Sequence, residues 1–261
     1  MELRKKEEIK HANKLKTLLK DALDREKIAS NKKFYSITWS SKKFIKEWLL
    51  NELLNTNKKF LDYCCGEGET CLFLAKEGVD VTGIDISDVS IKLAEEKALK
   101  EVIKDNLNFL VMDGENMTFS DNTFDVIFCS GVLHHLDINK AFQELNRVLK
   151  PNGKIICNEP LAYNPIFQLY RKRTPQLRTE WEAEHILKKE DIYLAKKYFN
   201  KLEIRSFHLA TLLAVPFRKT KIFNFILGFL EKIDFILLKI PFIKWLSWQV
   251  VFILEKPKKS K

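Results

Sequence analysis

Phe60-Leu61-Asp62-Tyr63-Cys64-Cys65-Gly66-Glu67-Gly68 is a short apolar strand running into a glycine-bearing turn, and a helical pattern from Thr70 to Lys76 follows directly. Where a strand switches to a helix, backbone N–H groups and the helix N-terminus point at a bound polar group, and glycine lets a ligand approach the chain closely. The stretch therefore has the geometry of a nucleotide-binding first loop. A second strand, Val79 to Ile84, ends in Asp85. A carboxylate about 20 residues beyond the first loop is where a doubly wound fold grips the two ribose hydroxyls. A dehydrogenase is the weaker reading, because its fingerprint is G-x-G-x-x-G and the spacing here is C-x-G-x-G.

The downstream pattern decides the matter. After a helix from Val89 to Lys100 come Leu107 to Glu115 and then Asn122 to Leu136, with Phe124-Asp125 and His134-His135 inside it. A helix with Glu144 and Arg147 follows, and Val148-Leu149-Lys150-Pro151-Asn152-Gly153-Lys154-Ile155-Ile156 enters the next strand. In this order and spacing the run from Phe60 to Ile156 resembles the class I S-adenosylmethionine-dependent methyltransferases, closest to their small-molecule, type 11-like branch.

The resemblance implies an α/β fold: a Rossmann-like, doubly wound, seven-stranded sheet with an antiparallel C-terminal hairpin. It implies S-adenosyl-L-methionine as cofactor and a transferase activity, methylation. Asp62, Cys64, Cys65, Gly66 and Gly68 would hold the methionine part, Asp85 with Ile86 the ribose, and Asp113, Gly114 and Glu115 the adenine end. Cys129 and Ser130, closing the fourth strand, would face the sulfonium. The family has glycine where this chain has Cys64, so a side chain there is expected to crowd the cofactor or tilt the turn.

The proposed chemistry is an in-line displacement in which alignment and a base are the protein's share, with no metal required. His134 and His135 are the candidate bases, because they follow the fourth strand and histidine accepts a proton near neutral pH; a structural role is equally open. Loops beyond the carboxyl ends of parallel strands place substrate in α/β folds. Glu159, Tyr163, Asn164, Arg178, Glu184 and His185 are accordingly expected to form a polar patch, whereas Arg171, Lys172 and Arg173 read as a solvated face. Tyr35 and Trp39 precede the core and are lid candidates.

Three parts are expected: an N-terminal helical segment and lid over 1–55, a cofactor-binding core over 56–160, and a substrate-side C-terminal part over 161–261. In the first, Leu15, Leu18, Leu19 and Leu23 fall near helical spacing in a charged sequence, which reads as a solvated helix or pair of helices. In the last, strands at Leu202 to Phe207 and Gln249 to Leu254 enclose an apolar helical insertion from Lys221 to Trp248. Its phenylalanines, isoleucines and leucines leave Asn224, Gly228, Glu231, Lys232 and Lys239 on a narrower polar side. Interspersed charges leave no run near the roughly 20 apolar residues that span a bilayer. The insertion reads either as an element lying in a membrane interface or as a structural cover, substrate lid or dimer contact.

Composition excludes little but directs the rest. The 261 residues carry a formal net charge of +10, with 46% hydrophobic and 31% charged residues, as in a globular enzyme. The five cysteines lack metal-ligand spacing and read as reduced thiols, the lysine-rich start lacks a secretory pattern, and a cytoplasmic setting is expected. Scattered lysines without an aromatic and basic stripe argue against nucleic acid. The expected function is methyl transfer to an oxygen or nitrogen atom of a small, lipophilic acceptor. Its rivals are methylation of a membrane lipid or lipid-linked intermediate by a peripheral contact through 221–248 on the inner membrane surface, and a catalytically silent cofactor-binding partner protein.

Overall fold

The computed structural model describes residues 2–18, 33–103 and 105–259, the side chains of 15–18 and 176 excepted. Strands β1 (Lys59–Tyr63), β2 (Asp80–Asp85), β3 (Leu107–Val111), β4 (Phe124–Ser130), β5 (Leu149–Pro160), β6 (Phe199–Phe207) and β7 (Gln249–Pro257) form one seven-stranded sheet in the order β3-β2-β1-β4-β5-β7-β6. The first five pair in parallel, and β7 lies antiparallel between β5 and β6. The expected doubly wound sheet and antiparallel C-terminal hairpin are both present.

Near-continuous apolar runs make these strands central, since a parallel sheet is covered on both faces. Side chains alternate along each strand. Leu61, Tyr63, Ile127 and Ile155 pack on one face with α5 (Ile138–Val148). Phe60, Val126, Phe128 and Ile156 pack on the other, with α2 (Trp39–Leu53), α3 (Glu69–Lys76) and α4 (Asp88–Lys100). Ser87 caps α4 by accepting from Ser90 N–H, and Asp137 caps α5.

The N-terminal helix α1 (Leu3–Leu18) departs from the expected solvated element, because it docks on the carboxyl ends of the strands through polar side chains. The continuation of its leucine stripe through Leu19 and Leu23 lies outside the described residues. Substrate-side helices α6 (Pro165–Arg173), α7 (Glu180–Glu184) and α8 (Lys189–Leu194) precede β6. Arg171 is buried rather than solvated, because its guanidinium is satisfied by the Glu182 carbonyl at 2.7 Å and carboxylate at 3.3 Å.

The apolar insertion contains α9 (Phe223–Leu237), which Leu230 anchors to a third cluster with Phe34, Ile37, Phe167 and Trp248. Its outward side carries Asn224, Lys232 and Lys239 of the polar side that the sequence suggested, but aromatic rings as well. Phe225 and Phe229 face solvent, while Asp234 is buried and accepts from Leu209, Ala210 and Thr211 N–H and from the Thr211 hydroxyl. Four donors outweigh the cost of burying one carboxylate and hold that side of the helix inward. No helix among the described residues is long and apolar enough to cross a membrane.

Candidate functional site

The turn after β1 is held by β2. Asp85 at the end of β2 accepts from Gly66 N–H through Oδ2 and from Ser87 N–H through Oδ1, each at 2.9 Å. Gly66 and Gly68 have φ of +54° and +73°, which suits glycine alone without strain. A Cβ at Gly68 would also stand 2.6 Å from the Phe109 ring, so the helix start can approach β3 this closely only without a side chain. Cys64 shares the left-handed conformation at φ +59° without being glycine. Burial pushes its thiol well up, so it stays protonated.

Two cavities meet at Cys64. The smaller, about 200 Å³, is bounded by Cys64, Asp85, Ile86, Asp113, Gly114, Gly131 and His135, and by Arg4, Lys5 and Glu8 of α1. The larger, about 590 Å³, is lined by Asp62, Cys65, Ser130 and Asn158 from the strand ends, by Tyr35, Thr38, Ser41 and Gln249, by the charged Lys42, Lys46, Glu67 and Glu69, and by the apolar Ile45, Leu49, Phe73 and Phe128. Asp62 is 5% exposed, and burial pushes its carboxyl up to about 7 although the Cys71 thiol donates to it at 3.3 Å.

α1 closes the smaller cavity with charge. Lys5 Nζ is 2.6 Å from Asp113 Oδ2 and 2.9 Å from Glu115 Oε2; Arg4 pairs with Glu115 and donates to the His135 carbonyl. Glu8 accepts from Thr179 and lies 2.9 Å from His135 Nδ1. Burial alone would lower the His135 imidazole, but Glu8 together with the Glu182 and Glu159 charges outweighs it and holds it above its ordinary value.

Residues 61–157 match the family described as Methyltransferase domain. That segment, under half of the chain, carries the methyltransferase domain. Over 121 residues it is 39% identical to the ubiquinone/menaquinone biosynthesis C-methyltransferase UbiE of Rickettsia felis, an alignment covering 44% of this chain and 49% of that protein. The chain thus spans about half the length of the curated relatives it matches. Among solved structures, geranyl diphosphate C-methyltransferase from Streptomyces coelicolor is similar with a TM-score of 0.57 and 15% identity, over 82% of this chain and 80% of the other. Phosphoethanolamine N-methyltransferase 2 from Haemonchus contortus also has a TM-score of 0.57, with 22% identity over 84% of this chain and 53% of the other. At these identities the likeness is one of fold.

Within the methyltransferase domain, Asp62, Cys64, Cys65, Asp85, Ile86, Asp113, Gly114 and Ser130 all border one of the two cavities, and Glu115 sits behind Asp113. Cys129 is wholly buried in the core. His134 is buried, its Nδ1 2.7 Å from Glu159 Oε2, while Glu159 Oε1 accepts from Val132 and Leu133 N–H. Glu159 thereby locks the turn after β4.

The six polar residues expected to form one patch are held in separate networks. Asn164 caps α6 and donates to the Leu246 carbonyl; Tyr163 pairs with Glu190; Arg178 donates to the Thr174 carbonyl. His185 stacks on Trp181 at 3.6 Å and, with Glu184, borders a different hollow beside Leu133 and Leu136. Tyr35 does line the larger cavity, whereas the Trp39 side chain is exposed beside Lys43.

Sequence reasoning missed Ser41, Asn158 and Gln249. The Ser41 hydroxyl donates to Gln249 Oε1 at 3.0 Å and is 2.9 Å from His208 Nε2. Burial pulls His208 down to about 3, so it stays neutral. The one local signal was Gln249, a polar residue heading the apolar run Val250 to Leu254.

Proposed function

We propose that the chain transfers a methyl group from S-adenosyl-L-methionine to a small, lipophilic acceptor, at oxygen or nitrogen as the sequence reading has it. The observation that carries this is the meeting of the two cavities at Cys64: the smaller is lined by Cys64 and by the Asp85 and Asp113 carboxylates of the cofactor motif, and the larger combines an apolar wall of Ile45, Leu49, Phe73 and Phe128 with polar and charged groups. A pocket of that kind suits a small molecule fixed by a few hydrogen bonds.

The residues present fit the cofactor. The open backbone at Gly66, in a turn that Gly68 lets pack against β3, suits its methionine part. The Asp85 carboxylate, an acceptor at the edge of the smaller cavity, suits ribose hydroxyls. The Asp113 carboxylate suits an adenine amino group. When bound, the cofactor supplies a methyl group already activated by positive sulfur. The protein's share is alignment and exclusion of water by α1, Tyr35 and α2. Ser41, Ser130, Asn158 and Gln249 would orient the acceptor. Of the histidine pair, His135 borders the smaller cavity and would serve as a base once Glu8 lets go, while His134 would position the turn. Glu159, Tyr163, Asn164, Arg178, Glu184 and His185 would shape the acceptor side from behind.

A second reading is favoured by the relatives named as C-methyltransferases of quinone biosynthesis: transfer to a carbon atom of a membrane-soluble acceptor. Methylation of a lipid or lipid-linked intermediate belongs with it, by a chain that is cytoplasmic or peripheral on the inner membrane surface. Radiolabelled methyl transfer into a cell extract, fractionated into lipid, small molecules, RNA and protein, tests the proposal. Label in the organic phase supports it; label confined to RNA or protein overturns it.

A further inference from the structure

α9 presents its aromatic side to solvent. Phe225, Phe229, Phe235 and Ile236, with Phe242 just beyond the helix, are 59–87% exposed. Contiguous apolar surface of this kind marks an interaction site. Lys221, Lys232 and Lys239 stand exposed among these rings, and Lys239 Nζ lies 3.8 Å from the centre of the Phe235 ring. The two carboxylates between 218 and 246 both turn away: Asp234 is buried on the 209–211 backbone, and Glu231 is partly buried, its carboxyl raised by burial.

The outer face is therefore aromatic and cationic without a compensating carboxylate of its own segment. A second copy of the same face would bring lysine against lysine. A bilayer carrying anionic headgroups satisfies both halves at once, with rings in the acyl boundary and ammonium groups at the phosphates. We infer that this face docks flat on an anionic lipid surface. The inner side of α9 packs through Leu230 with Phe34 and Ile37, beside Tyr35 and Thr38 of the larger cavity. Docking thus brings the cavity mouth near the lipid, a purpose that rests on the lipophilic-acceptor reading.

Flotation of the purified full chain with vesicles of phosphatidylcholine alone, and of phosphatidylcholine mixed with phosphatidylglycerol, tests the inference independently of methyl transfer. The expected result is flotation with the anionic vesicles only, lost in a Phe225→Ser, Phe229→Ser, Phe242→Ser variant and weakened about fivefold or more by each of Lys232→Glu and Lys239→Glu. Circular dichroism and titration with S-adenosylhomocysteine report whether each variant is folded. The inference is overturned if the folded wild type floats with neither vesicle, or if the triple variant floats undiminished. A doubled mass in solution that the triple variant returns to monomer also overturns it, since a second copy then covers the face. Failure of flotation leaves the proposed reaction standing, and absence of methyl transfer leaves docking standing.

Discussion

Lys5 Nζ lies 2.6 Å from Asp113 Oδ2, so a helix before the core occupies the carboxylate proposed to meet the adenine amino group. Carboxylates nearby hold the Lys5 ammonium above its usual range despite partial burial. Lys5→Met removes the competing cation, and the expected outcome is about fivefold tighter binding of S-adenosylhomocysteine, on the order of 1 kcal/mol for a partly exposed ion pair. Calorimetric titration checks it. Weaker binding would mean that Lys5 and adenine share the carboxylate.

Cys64 bears the cost of a left-handed backbone. For a residue with a Cβ this is roughly 1–2 kcal/mol, which glycine avoids. Cys64→Gly should raise stability by about 1 kcal/mol and Tm by about 2–4 °C, after some loss of packing. It should also widen the junction between the cavities, so tighter cofactor binding is expected in the same titration.

Asp62 sets a pH dependence with a defined sign. Its folded carboxyl, near 7, lies above the ordinary value of 3.8, so the native state holds a proton that the unfolded chain has lost. The stability it contributes is therefore greatest at low pH and falls as pH rises through this window, by up to a few kcal/mol at roughly 1.4 kcal/mol per unit. Urea unfolding without cofactor, compared at about pH 5 and about pH 7, should show a smaller fall in Asp62→Asn than in the wild type. Asparagine can still accept from the Cys71 thiol.

The Glu8–His135 pair gives α1 a clasp of opposite character to an ordinary carboxylate. His135 is raised above its ordinary value of 6.5, so its contribution is fully present below that pH and is lost as pH rises through the folded value. Hydrogen exchange of the amides of residues 3–14 should quicken as pH rises from about 6 to about 8, after correction for the intrinsic rate. In Glu8→Gln the corrected rate should be faster and nearly independent of pH.

Much of this molecule could be read along the chain because its signals are local. Strand period, the glycines at 66 and 68, the carboxylates at 85 and 113, and the apolar run after 221 each depend on a few consecutive residues, and each lies where the sequence places it. The acceptor cavity is different. Ser41, Asn158 and Gln249 come from α2, β5 and β7 and meet only when β7 inserts between β5 and β6.

The sequence by itself determined the doubly wound sheet, the cofactor motif and the apolar character of the insertion, because periodicity and turn chemistry act over short spans. Only the tertiary structure decided that α1 lies across Asp113 and Glu115, that Glu159 locks the turn bearing His134, and that Asp234 turns inward to leave Phe225 and Phe229 outside. Those outcomes rest on where buried charges find partners. A carboxylate with a choice of distant donors leaves no local mark in the chain, and its burial is favourable only once the fold has brought those donors together.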